Sequence, residues 1–137
     1  MRRIKFRGKD LKTGEWVYGD LHVLCDAPHI HTSPSVFPYA GKRSFIDPET
    51  IGQFTGILDH NGKEIYEGDV IADCRANDIR HEIFYCEEEG RFKAAINGKR
   101  DSFFGCCGLD DTRWNRSKVV IGNVHDSKDL FKNSRKF

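Results

Sequence analysis

The sequence predicts an all-β fold: a small barrel-like core, SH3-like or half-barrel, of antiparallel hairpins with long loops and a short C-terminal helix. Three observations predict it. Ile4 and Phe6 alternate with Arg3, Lys5, Arg7 and Lys9, which is strand periodicity. Asn61-Gly62 separates two apolar runs, as in a hairpin. Gly68 interrupts a third run before Val70-Ile71-Ala72, where a curling sheet needs a bulge or a sharp bend.

The elements follow in order. The first strand ends in a turn at Leu11-Lys12-Thr13-Gly14, and Glu15-Trp16-Val17-Tyr18 returns beside it. Residues 25–46, with Pro34, Pro38 and Gly41, are expected to form an irregular loop. Asp47-Pro48-Glu49-Thr50 predicts a single helical turn, with Asp47 as its cap and Pro48 at its first position. In the 57–65 hairpin a two-residue turn would oppose Asp59 to Glu64, two like charges. A three-residue loop, His60-Asn61-Gly62, opposes Asp59 to Lys63 and Ile57 to Ile65 instead, pairs worth roughly 0.2–1 kcal/mol each. The second register is predicted. Residues 81–86 and 91–96 flank Glu87-Glu88-Glu89-Gly90 as another hairpin. Residues 97–117 form a long Gly-punctuated segment. Residues 118–124 are apolar on both faces and predict a central strand. Asp126 or Ser127 is expected to cap a short helix through Leu130 and Phe131, before a basic, fraying tail, 132–137.

A chain of 137 residues suits one domain, 1–137, able to bury roughly 68% of its unfolded surface. Hydrophobic residues at 38% and charged residues at 31% are an ordinary soluble composition. Without an apolar run near the roughly 18 residues of a membrane span, no membrane association is predicted. Charges throughout Met1–Arg7 exclude a signal core there, so a cytoplasmic location is expected. Five cysteines with no secretion signal predict free thiols. Residues 1–9 and 128–137 carry nine Lys or Arg and one acid, whereas the middle of the chain carries 13 basic and 20 acidic side chains. Basic ends on an acidic body are compatible with nucleic-acid contact, with head-to-tail self-association, or with solubility alone.

Four blocks, taken together, carry a resemblance: Ile4-Lys5-Phe6-Arg7; Asp47-Pro48-Glu49-Thr50-Ile51-Gly52-Gln53-Phe54-Thr55-Gly56; residues 59–70, DHNGKEIYEGDV; and Ile121-Gly122-Asn123-Val124-His125. In this order they resemble the YopX family of bacteriophage and prophage proteins, over nearly the whole chain. Segments 22–45 and 97–117 have no counterpart among the blocks. The resemblance implies an all-β fold with a small barrel-like core and a cytoplasmic, phage-derived role. It implies no biochemical activity and transfers no catalytic residue.

The residues themselves offer several candidate sites. His22-x2-Cys25-x3-His29-x-His31 supplies four nitrogen and sulfur donors of the kind zinc takes, although not at finger spacing, and Cys106-Cys107 could add to them. Against it stands a polar loop with scattered histidines. Glu64, Glu67 and Asp69 could hold magnesium for phosphoryl chemistry, but a bulge at Gly68 would turn Glu67 and Asp69 apart. Arg3, Lys5, Arg7 and Lys9 should project from one face about every 6.8 Å, near two phosphate steps of a nucleic acid, with Trp16 and Tyr18 as stacking surfaces beside them. A charged edge strand that resists aggregation has the same pattern.

No catalytic constellation emerges, and no cofactor is predicted. The expected function is a non-enzymatic β scaffold that binds a protein or nucleic-acid partner. The alternative is a metal-dependent hydrolase or nuclease using Glu67 and Asp69 or the His/Cys loop. Homo-oligomerisation, a basic strand of one copy meeting the acidic hairpin of another, is compatible with the scaffold.

Overall fold

Strand alternation organises the first unit, residues 1–54, and a glycine-cornered apolar core organises the second, residues 55–137. The structure is a computed structural model and describes residues 3–31, 43–73, 79–100, 106–109, 117–127 and 129–131.

In the first unit β1 (Phe6–Lys9) pairs antiparallel with β2 (Trp16–Leu24). β2 pairs in turn with β3 (Ala27–His31), and β3 with β4 (Arg43–Phe45). On its other side β1 meets the start of β5 (Gly52–Leu58). The β1–β2 turn is tied by Asp10, whose Oδ1 accepts the amides of Lys12 at 2.7 Å and Thr13 at 3.1 Å. The helical turn expected at 47–50 is present as a 3-10 turn, Pro48–Thr50, capped by Asp47 Oδ1 accepting from Glu49 N at 3.1 Å. Ile30 and Ile46 are fully buried in this unit. Gly19 has φ +155°, and a Cβ there would lie 2.0 Å from the His31 carbonyl oxygen, so only glycine lets β3 approach β2 at this point.

The second unit adds β6 (Glu64–Tyr66), β7 (Asp69–Asp73), β8 (Arg80–Cys86), β9 (Arg91–Ile96), β10 (Cys106–Gly108) and β11 (Lys118–Asn123). Its core is Ile65, Ile71, Ile83, Ala94 and Leu109, with Ile57, Phe92 and Val120 packed against it. The predicted three-residue hairpin loop is present. Asp59 N donates to Lys63 O at 2.8 Å, Gly62 N to Asp59 O at 3.0 Å, and Gly62 has φ +82°. The expected charge pair is replaced by something stronger. Asp59 is buried, and its Oδ1 accepts the backbone amides of Asn61 and Lys63 while Oδ2 accepts that of Val120.

The all-β expectation holds, but among the described residues the sheets do not close into a barrel. The strand orders, β4-β3-β2-β1-β5-β6 and β10-β9-β8-β7-β11, are two open antiparallel sheets whose end strands, among the described residues, do not pair with each other. The short C-terminal helix is also absent among the described residues. Asn123 Oδ1 accepts the amides of His125 and Asp126, bending the chain at once, and residues 124–126 and 129–131 are turns. Among the described residues the strand at 118–123 pairs with β7 alone and lies at the edge of its sheet. Its residues 118–122 are half-buried, and its register shifts between Val120 and Gly122. The loop expected at 25–46 contains β3 and β4, so its histidines lie on strands. Within 97–117 the described part includes β10, and the tail 132–137 lies outside the described residues.

Candidate metal centre

The β2–β3–β4 ladder builds a grid. His22 lies opposite His29 and Asp20 opposite His31. Across the next pairing His29 lies opposite Phe45 and His31 opposite Arg43. Residues two apart on a strand share a face, as do residues directly opposed. One face therefore presents two rows, Asp20-His31-Arg43 and His22-His29-Phe45. The ring contacts follow the grid. Centroids are 5.5 Å apart for His22–His29, 5.0 Å for His29–His31, 4.4 Å for the diagonal His22–His31, and 5.5 Å for His29–Phe45.

His29 is the centre of this arrangement. Its neighbours leave it 4% exposed, and its Nδ1 is buried without a hydrogen-bond partner. Buried polar atoms in folded proteins nearly always find a partner, and an orphan costs about 1–3 kcal/mol. His22 remains exposed and His31 half-buried, so the cluster opens to solvent on one side.

One donor nitrogen from each ring lies within 4.8 Å of the others. Tetrahedral zinc with bonds of about 2.0–2.1 Å sets its nitrogens roughly 3.3 Å apart, so modest side-chain rotations close the site. Three imidazoles with a free fourth position are a donor set for zinc, and imidazole also suits copper and nickel. Binding needs neutral imidazole. His31 is held below the usual histidine pKa, first by desolvation, then by the charges of His22, His29 and Arg43, against an upward push from Asp20.

The four sequence candidates thus divide. His22, His29 and His31 converge, while Cys25 does not. Cys25 and Asp26 form the two-residue hairpin tip with φ of 52° and 61°, and the Cys25 thiol is free and exposed, about 10 Å along the strand from His22. Cys106 and Cys107 lie on β10, and their side chains fall outside the described residues. Asp20, Arg43 and Phe45 were missed. Their positions become visible only once a two-residue turn at Cys25-Asp26 fixes the register, and Cys is not a residue that announces a left-handed turn.

The carboxylates are occupied elsewhere. Asp69 is 1% exposed, and its Oδ2 accepts the Tyr66 amide at 2.8 Å, which ties the β6–β7 turn at Gly68. Glu64 Oε1 accepts from the Tyr66 hydroxyl at 3.3 Å, and Glu67 sits half-buried in that turn. Among the described residues the histidine cluster is the group of His, Cys, Asp or Glu side chains placed to share an ion.

The cations of the basic strand lie over the aromatic rings of its neighbour. Arg7 lies opposite Tyr18 and Lys9 opposite Trp16. The Arg7 guanidinium sits 4.5 Å from the Trp16 ring centre, Lys9 Nζ 5.5 Å from the same ring, and Lys5 Nζ 5.7 Å from the Tyr18 ring. Arg7 is only 5% exposed, whereas Arg3 is exposed. The rings expected to stack on a ligand are already faced by the chain's own cations.

Comparison with known proteins agrees with this architecture. The crystal structure of protein EF1440 from Enterococcus faecalis is similar, with a TM-score of 0.55 and 24% sequence identity, covering 96% of this chain and 99% of that one. That likeness concerns the fold. No curated protein matches the chain. The family model described as YopX protein matches residues 5–132, and the chain belongs to the YopX family.

Proposed function

We propose that the first unit is a transition-metal-binding β module, which holds zinc or a similar late first-row ion between His22, His29 and His31. The single observation that carries this reading is the buried, unpartnered Nδ1 of His29 at the centre of three converging imidazoles. A cluster kept only for packing would gain more from apolar side chains, which leave no orphaned nitrogen. Because His22 is exposed, the ion would keep a solvent-facing position, so the site is exchangeable and not a closed structural clasp. The test is thermal unfolding of the purified chain with and without zinc, beside its elemental content. Zinc should raise the melting temperature of the wild type and leave His29→Ala unchanged. An unchanged melting temperature in the wild type would remove the reading.

A second reading keeps the protein as a scaffold for a nucleic-acid partner. The observation in its favour is the row of cations stacked along Trp16 and Tyr18, with Tyr18 itself 41% exposed. Such binding should weaken steeply with salt and weaken further in Arg3→Ala/Lys5→Ala. Salt-independent or absent binding of single-stranded DNA and RNA would reject it.

A further inference from the structure

We propose that the fourth position of the three-histidine site takes a phosphate group, held jointly by the metal and by the guanidinium of Arg43. This rests on the metal-binding reading above and adds its ligand.

The register carries the argument. Arg43 is directly opposite His31, and therefore stands on the same face as the three imidazoles and beside one of them. It is exposed, and among the described residues no ion pair holds it. An arginine next to a metal site raises the local positive charge, which works against binding the cation alone. It works in favour of binding a cation together with an anion. The open position already asks for a donor, and hard oxygen anions are the donors that gain most from an adjacent guanidinium.

Geometry selects among the oxyanions. A guanidinium prefers two parallel N–H···O bonds. A carboxylate that gives both oxygens to such a fork must share one of them with the metal. A phosphate can give two oxygens to the fork and a third to the ion. Phe45, opposite His29 with its ring centre 5.5 Å from the imidazole, places an apolar ring beside the site.

Asp20 is the competing occupant. It lies opposite His31 on the other side, so its carboxylate could complete the coordination sphere and exclude a phosphate. The converging group contains only the histidines, which favours an external ligand.

The experiment uses the full chain loaded with cobalt(II), whose visible bands report coordination. Inorganic phosphate should shift the bands saturably, and acetate at equal concentration should shift them far less. Arg43→Gln should keep the cobalt bands and lose at least about tenfold in phosphate affinity. Phenyl phosphate and dimethyl phosphate, run beside inorganic phosphate, separate a monoester or diester source from the free ion. Cobalt bands that ignore all three phosphates overturn the inference while leaving the metal site intact. So does an equal phosphate response in wild type and Arg43→Gln, or a response that appears only in Asp20→Asn. If no cobalt bands form, both readings fall together.

Discussion

The Asp59 carboxylate accepts the backbone amide of Val120 at 3.0 Å, across 61 residues of chain. Its other oxygen closes the hairpin loop through Asn61 at 2.9 Å and Lys63 at 2.8 Å. One buried acid thus couples a local turn to an edge strand of the second unit. Asp59→Ala leaves three amides without their acceptor and should cost roughly 3 kcal/mol or more of unfolding free energy. Asp59→Asn can keep the turn through its carbonyl oxygen but sets an amide donor against Val120, so it should cost about half as much. Urea denaturation of the two variants checks the order; equal or negligible losses would show that the carboxylate is not what joins these elements.

Gly19 couples the fold to the histidine grid. Its φ of +155° and the 2.0 Å approach of the His31 carbonyl to an added Cβ leave no place for a side chain. Gly19→Ala should destabilise the chain by about 3 kcal/mol, because backbone and not a flexible side-chain end must move. The displaced segment carries His31, so zinc affinity should fall as well. Gly14→Ala, at a turn with open space around it, controls for the loss of a glycine as such.

Acid should destabilise the second unit through His81. Burial lowers its pKa from 6.5 to about 4, aided by the charge of Lys118 and opposed by Asp73. The unfolded chain therefore binds a proton more readily than the folded one between these values. The stabilisation is complete above pH 6.5 and is lost as the pH falls toward 4. Between pH 7 and pH 4.5 this amounts to about 2–3 kcal/mol, and His81→Leu should flatten that part of the stability profile. An unchanged slope in the variant would assign the acid sensitivity to other groups.

Each histidine of the cluster should matter to metal affinity, and Cys25 should not. His22→Ala, His29→Ala and His31→Ala each remove a donor and should weaken zinc by more than the roughly 10–100-fold typical of outer-shell losses. Cys25→Ser should bind zinc like the wild type, since the thiol stands at the hairpin tip. Calorimetric titration checks the set. A loss in Cys25→Ser as large as in the histidine variants would mean that the hairpin tip folds back onto the ion.

How legible this was depended on whether local chemistry alone fixed the geometry. Asn61-Gly62 and Asp47-Pro48 carry their conformations in their own side chains, so the hairpin loop and the 3-10 turn could be read directly. The β2–β3 hairpin could not, because Cys25 and Asp26 adopt left-handed φ under the pull of the flanking ladder and without glycine. The three histidines were consequently read as lying on a loop together with Cys25, whereas the register groups the histidines on one face and leaves Cys25 at the hairpin tip. Asp69 shows the opposite failure. An acid read as a candidate magnesium ligand is instead the buried acceptor for Tyr66, a role that spacing does not announce. Closure of the barrel, likewise, depends on which strands meet at the sheet ends, and no residue in those strands encodes that by itself.

X-ray absorption at the zinc edge of the zinc-loaded chain tests the central claim most directly. A three-histidine site gives a first shell of nitrogen and oxygen at about 2.0–2.1 Å with the outer-shell signature of three imidazoles, reduced in His29→Ala. A sulfur shell near 2.3 Å, or a chain that retains no zinc, would contradict it.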